Sequence, residues 1–285
     1  MRLQKSCCTV GKFEAFHRGH RKLIERAKEL CDRVKVISIR GKGEKLFTDE
    51  EREEIARRLG VELLNIPFSR VKGMSPRQFF ERLKEWGCDA LVVGEDWRFG
   101  KNREGNIETA ERLGREFGIS VFTVPTELER GEKIGATRIK ELLSEGKVEE
   151  ANALLGFPYF SKGIVVKGAS RGKEIGFPTV NVKPFKELPL PFGVYAVKLT
   201  FDGKTYRGVA NYGRAPTLKN SEPVVEVFVP EVELPPLYGK NVKVEFLKFL
   251  RPEKRFSSVE ELINQIKLDV ENLKEFWRLN CGAGE

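Results

Sequence analysis

The chain has 285 residues, with 51 Lys plus Arg against 42 Asp plus Glu, a formal charge of +9, and two histidines, His17 and His20. At about 150 residues per domain this length predicts two domains, and the positive excess predicts a phosphate-bearing ligand, which ATP or a nucleic acid would satisfy. No apolar run approaches the ~20 residues of a membrane span and residues 1–16 lack the apolar core of a secretion signal, so a cytoplasmic protein without a membrane partner is expected.

Short apolar runs at 6–10, 34–39, 62–66, 90–93 and 120–124 read as strands, and amphipathic patterns at 19–30, 48–59, 75–86 and 107–117 read as helices between them. Thr48 with Glu51, and Ser75 with Gln78, form capping boxes that open two of these helices. Strand–helix alternation predicts an α/β domain, a doubly wound parallel sheet. Such sheets bind ligands beyond the carboxyl ends of their strands, which directs the search to the loops after Val10 and Val93. Cys7, Cys8, Cys31, Cys88 and Cys281 are odd in number and contain no C-x-x-C pair, so they are expected to be reduced, buried, small apolar side chains rather than disulfides or zinc ligands.

After a helical run at 148–155 the pattern changes to β-type segments at 164–167, 193–201, 205–211, 224–229 and 242–249, separated by Gly, Pro and Asn. That spacing predicts an antiparallel barrel or sandwich, with Asp202-Gly203 as a hairpin turn. A last helix is expected from about Ser258, capped by Ser258 with Glu261, with Leu262, Ile266, Val270 and Leu273 on one stripe that covers the barrel. The expected domains are 1–156, an α/β sheet, and 157–285, a β-barrel with a terminal helix.

The first strand runs into Gly11-Lys12-Phe13-Glu14-Ala15-Phe16-His17-Arg18-Gly19-His20 and then a helix, so both histidines stand at a helix start. Free backbone N–H groups and the positive end of the macrodipole already favour an anion there. Imidazole N–H groups add directed donors, and Gly11 and Gly19 let the backbone approach a ligand. Two other readings compete: satisfied structural histidines, or a metal site, which would have to recruit Cys7, Cys8 or Glu14 although neighbouring strand residues face opposite sides. The pattern Gly-x-Phe-acidic-x-x-His-x-Gly-His before a helix resembles the signature of the HxGH nucleotidylyltransferases. In that superfamily the histidines contact the phosphates at which in-line attack displaces pyrophosphate.

After the strand at 90–93 come Gly94, Asp96, Trp97, Arg98, Phe99, Gly100 and Arg103, the glycine, basic and aromatic mixture that suits a loop gripping a nucleotide, although a charged surface loop has the same composition. The stretch is similar to Val-Gly-x-Asp-Phe-x-Phe-Gly-x-x-Arg of the prokaryotic bifunctional riboflavin kinase/FMN adenylyltransferases, the FAD synthetases. The resemblance implies His17 and His20 as catalytic residues and Gly11, Phe13, Gly19, Gly94, Asp96 and Arg98 as ATP or phosphate contacts. Downstream, Ile134-Gly135-Ala136-Thr137-Arg138-Ile139-Lys140 is similar to a second signature, Ile-Ser-Ser-Thr-x-Ile-Arg, at a helix N-terminus. There Thr137 is expected to cap the helix, and Thr137, Arg138 and Lys140 to meet phosphate. Gly135 and Ala136 replace two serines, Lys140 an arginine and Glu14 an aspartate, and residues 39–45 lack the family's His-Pro flap. These departures leave open a kinase whose N-terminal domain is weak or altered in nucleotide preference.

The third constellation, from Gly168 through Arg171, Gly176, Phe177, Pro178 and Thr179 to Asn181, permits close approach to phosphate, and Thr179 and Asn181 share a strand face as hard oxygen donors suited to Mg²⁺. Taken alone it would also suit a Gly/Pro turn. It resembles the Gly-Phe-Pro-Thr-x-Asn motif of riboflavin kinases, and further matches follow in order around Tyr195, Asn211, Thr217, Glu226, Tyr238, Arg251 and Phe256. The resemblance therefore spans nearly the whole chain. It implies Thr179 and Asn181 as holders of Mg²⁺ and ATP; Gly168, Arg171, Gly176 and Pro178 as ATP contacts; Glu226 as the carboxylate that takes or orients the hydroxyl proton; and Asn211, Thr217 and Arg251 as flavin contacts. An outward-facing, merely solvated Glu226 is the bland alternative. The implied partners are the small molecules ATP, riboflavin and FMN, with FAD as product and no nucleic acid. A basic nucleic-acid-binding protein is the reading from another class; it predicts salt-sensitive binding to DNA or RNA and leaves 176–181 and the paired histidines without a role.

Overall fold

A computed structural model describes residues 3–41, 45–168, 171–214 and 222–280, which divide into two compact units, Met1–Arg138 and Ile139–Glu285. In the first unit, the apolar run around Cys7 to Val10 is buried on both faces, as a central parallel strand requires. It forms β1 (Leu3–Gly11), followed by α1 (Arg18–Leu30), β2 (Cys31–Arg40), α2 (Asp49–Arg58), β3 (Glu62–Pro67), α3 (Pro76–Glu85), β4 (Ala90–Gly94), α4 (Ile107–Phe117) and β5 (Ser120–Val124). Both expected capping boxes are formed, Thr48 with Glu51 on α2 and Ser75 with Gln78 on α3. The five strands are parallel in the order β3-β2-β1-β4-β5. Strand order reverses between β1 and β4, which opens a crevice at their carboxyl ends, at Gly11 and Gly94. Beyond β5 a two-stranded ribbon that the pattern does not signal, β6 (Leu128–Glu129) and β7 (Glu132–Lys133), turns through Arg130 and Gly131, both at positive φ.

Two disulfides, Cys7–Cys31 and Cys8–Cys88, correct the expectation of reduced thiols; Cys281 lies outside the described residues. The physical reason is topological. Cys7 and Cys8 are neighbours on a central strand and project to opposite faces, so each meets a different partner, at a Cα–Cα separation of 5.6 Å in both cases. The closed loops span 24 and 80 residues, for which the chain-entropy account gives about 3–5 kcal/mol each. Strong reductant, which removes both cross-links, is expected to lower the melting temperature of this unit by roughly 20–30 °C, read by calorimetry. A melting temperature indifferent to reductant would contradict the cross-links.

Helix α5 (Ala136–Ser144) spans the boundary at Arg138, and the second unit continues with α6 (Val148–Leu155), β8 (Tyr159–Val166), α7 (Arg171–Glu174), β9 (Thr179–Pro184), β10 (Gly193–Phe201), β11 (Lys204–Gly213), β12 (Val224–Phe228), β13 (Asn241–Pro252) and α8 (Val259–Asn280). The six strands close as β10-β11-β12-β9-β8-β13, all neighbours antiparallel, so no edge is left unpaired. β8 starts earlier than the apolar alternation suggests: Ser161, Lys162 and Gly163 interrupt the pattern, yet their backbone pairs with Val244, Lys243 and Val242 of β13. Asn152 ties α6 to the barrel by donating to Phe246 O at 2.9 Å and accepting from Tyr159 N–H at 2.7 Å. Leu273 of α8 packs with Val194, Ala196 and Val209, and Ser258 Oγ accepts from Glu261 N–H at 3.1 Å. Leu273 and Val270 of the expected stripe, with Phe276 and Trp277, thus cover one outer face of the barrel.

Candidate active sites

In the first unit the loop between β1 and α1 carries both histidines. His17 is the N-cap of α1 and accepts on Nδ1 from His20 N–H at 3.4 Å, which leaves the proton of its neutral ring on Nε2. The imidazoles stack with centroids 3.8 Å apart, and the Phe13 ring stacks on His20 at 4.3 Å. Phe13 and Phe16 both take positive φ, and Gly11 lies so close to Phe13 that a Cβ there would stand 3.3 Å from its ring. Gly19 lies against His17, where a Cβ would be 3.4 Å from the ring. Burial, with the nearby Lys133 charge, pushes His17 down to about 4; burial, then His17, Lys133 and Arg52, pushes His20 well below its ordinary value. His20 Nδ1 is buried and has no hydrogen-bond partner among the described residues. Two neutral imidazoles at a helix N-terminus present N–H donors that do not depend on protonation near neutral pH, chemistry that suits an anion.

Across the crevice, Gly94 ends β4, the exposed Asp96 pairs with Lys133, and Arg98 is exposed. Thr137 is the second residue of α5, which corrects the expectation that it caps that helix; its N–H, not a capping side chain, belongs to the exposed helix start. Arg138 donates to Glu129 O at 3.2 Å and pairs with Glu132. Lys140 follows within α5.

In the barrel, Asn181 on β9, Glu226 on β12, Asn211 on β11, Val194 on β10 and Arg251 on β13 are successive cross-strand partners. Directly opposite residues share a face. Val194 packs under α8 and Val225 and Val227 are buried, so this row lies on the outer wall, and Glu226 faces outward amid polar neighbours. Thr179 stands opposite Phe228, whose ring meets Phe177 edge-on at 5.3 Å. A Cβ at Gly168 would overlap the Asn181 amide, and one at Gly172 would overlap Phe177 O and stand 3.4 Å from Thr179 Oγ1. The glycine segment therefore lies directly against the two candidate metal donors. Gly176 turns through φ +85°, and Pro178 leads into β9. Arg251 ends the row with its guanidinium bidentate on Asp269 of α8, at 2.8 and 2.7 Å, so it anchors that helix at the margin of the site. Thr217 and the Arg171 side chain lie outside the described residues.

The riboflavin kinase family model matches residues 155–277, and the FAD synthetase family model matches residues 1–138. A bifunctional riboflavin kinase/FMN adenylyltransferase of Escherichia coli K12 is 33% identical over 98% of this chain and 96% of its own length. One of Bacillus subtilis 168 is 35% identical over 93% of this chain and 90% of its own. The chain belongs to the bifunctional riboflavin kinase/FMN adenylyltransferase family. A solved structure described as a macrolide-efflux protein from Streptococcus pneumoniae is 29% identical, covers 96% of this chain and 95% of its own, and has a TM-score of 0.84. Among the described residues of this family member, no helix is long and apolar enough to cross a membrane.

Residue-type reasoning passes over Glu127, which follows β5 at the carboxyl end of the sheet. Its side chain is 7% exposed, bonds Arg18 at 2.8 Å and Lys22 at 3.5 Å, opposes the lowering of His17, and leaves Oε2 buried without a partner among the described residues. Its position just beyond a strand end was the available signal. The lowered histidines also set a pH dependence. The unfolded chain takes up protons as pH falls through 6.5, while folded His17 resists until about 4. The first unit of this riboflavin kinase/FMN adenylyltransferase family member is therefore expected to lose stability as pH falls from about 6.5 to about 4, by about 3 kcal/mol or less for His17, and to be flat in this respect above 6.5. Urea midpoints across that range check the slope, and His17→Asn should reduce it.

Proposed function

We propose that the barrel transfers the γ-phosphoryl of ATP to the 5′-hydroxyl of riboflavin, and that the N-terminal sheet transfers the adenylyl group of a second ATP to FMN, releasing pyrophosphate and forming FAD. The kinase is assigned to 157–285 and the adenylyltransferase to 1–156. The observation that carries this reading is the outer-wall row Asn181–Glu226–Asn211, bordered by Thr179 and the Gly168 segment. Phosphoryl transfer needs a charge-neutralising cation, an acceptor for the hydroxyl proton and tight positioning. Glu226 accepts the hydroxyl proton, Asn211 orients the flavin side, and Arg251 holds α8 at the flavin margin. Thr179 and Asn181 present hard oxygens on one strand face against a glycine cradle, a donor set that fits Mg²⁺, whose charge would neutralise the ATP phosphates.

In the N-terminal unit the FMN phosphate attacks the α-phosphorus of ATP in line. His17, His20 and the α1 N-terminus stabilise the charge that builds there, and the Gly11, Phe13, Gly19, Gly94, Asp96, Arg98, Thr137, Arg138 and Lys140 positions bound the nucleotide. No protein nucleophile takes part. The partners are small molecules in the cytoplasm, with neither nucleic acid nor membrane. Incubation of the purified chain with riboflavin and MgATP, followed by chromatography of the flavins, should show FMN first and FAD after it. FMN that never proceeds to FAD would remove the adenylyltransferase half and leave the kinase.

A further inference from the structure

Arg52 lies inside a charge-rich helix, yet its side chain is fully buried. Its guanidinium donates to Phe13 O from Nε and Nη2, both at 3.3 Å, to Ser38 Oγ at 2.5 Å and to Asn65 Oδ1 at 2.8 Å. Ser38 in turn donates to Lys12 O at 2.6 Å. One buried cation on α2, with partners on β2 and β3, thus ties down two consecutive carbonyls of the β1–α1 loop. The second belongs to Phe13, which takes a φ of +40° and stacks its ring on His20. Glu14, the next residue, accepts from Leu46 N–H at 3.3 Å. A left-handed conformation at a bulky residue persists only where its surroundings over-determine it.

We propose that Arg52, through Ser38 and Asn65, is a positioning residue for adenylyl transfer: it locks the Lys12–Phe13 peptide so that the Phe13 ring holds His20 in register with the nucleotide phosphates. This rests on the adenylyltransferase reading above. Lysine keeps the charge but has no planar fork able to serve Phe13 O, Ser38 and Asn65 together. Small displacements of an oriented catalytic group cost large factors in rate, so the effect falls on turnover rather than on ground-state binding.

The test is Arg52→Lys, with Ser38→Ala and Asn65→Ala as milder variants, each in the full chain with MgATP. Turnover and KM for FAD formation are measured beside FMN formation in the same samples. The expected result is a tenfold or larger fall in kcat for FAD formation in Arg52→Lys, smaller falls in the other two, KM for ATP within about threefold, and FMN formation unchanged. The chain has only two histidines, so their imidazole proton signals report the loop directly; they should shift and titrate differently in Arg52→Lys. A kcat within twofold of the parent with unmoved histidine signals would overturn the proposal. If Arg52→Lys fails to fold, normal kcat in folded Ser38→Ala and Asn65→Ala would overturn it equally. Absence of FAD formation by the parent chain would instead overturn the adenylyltransferase reading, and the histidine signals would still decide whether Arg52 positions the loop.

Discussion

Glu226→Gln is expected to reduce FMN formation by about 10²–10⁴-fold while FAD formation from supplied FMN continues at the parent rate. The substitution is nearly isosteric and lies on the outer wall, so it removes the proton acceptor without opening the barrel core formed by Val225 and Val227. Its neighbours across the strands, Asn181 and Asn211, keep their places because strand register is set by backbone pairing. A variant that loses both activities while remaining folded would mean that the two sites are not separate. One that keeps full kinase turnover would reduce Glu226 to a solvated surface carboxylate.

His20→Ala is expected to do the reverse, lowering FAD formation about 10²-fold or more and sparing FMN formation. His20 is stacked between Phe13 and His17, so the alanine removes a directed donor and also frees the Phe13 ring. The loss should appear in kcat at pH 7 and 8 alike, because the ring is held neutral well below that range. Steady-state assays with FMN and MgATP at both pH values check this. A defect cured by raising ATP alone would assign His20 to ground-state binding.

Much of the fold was legible because the deciding signals are local. The runs ending in Val10 and Val93 are buried on both faces, and Thr48 and Ser75 announce their helices through side chains three residues apart. What was not legible depends on which strands become neighbours. The pairing of Cys7 with Cys31 and of Cys8 with Cys88 follows from β1 lying between β2 and β4, which no spacing encodes. Motif resemblance pointed to Asn181, Glu226, Asn211 and Arg251 one by one, but their alignment in a single row on the outer wall is a property of barrel register. Arg52 and Glu127 read as ordinary surface charges within charged stretches. Their burial and pairing beside the β1–α1 loop follow only from how sheet and helix close over them.

The adenylyltransferase half carries the departures at Glu14, Gly135, Ala136 and Lys140. The direct measurement is incubation of the purified chain with FMN and ATP labelled at the α-phosphate, with Mg²⁺ present. Label is expected in FAD with an equal amount of unlabelled pyrophosphate, both reduced about 10²-fold or more in His20→Ala. Label that stays in ATP, or passes only to AMP, would contradict the adenylyltransferase reading.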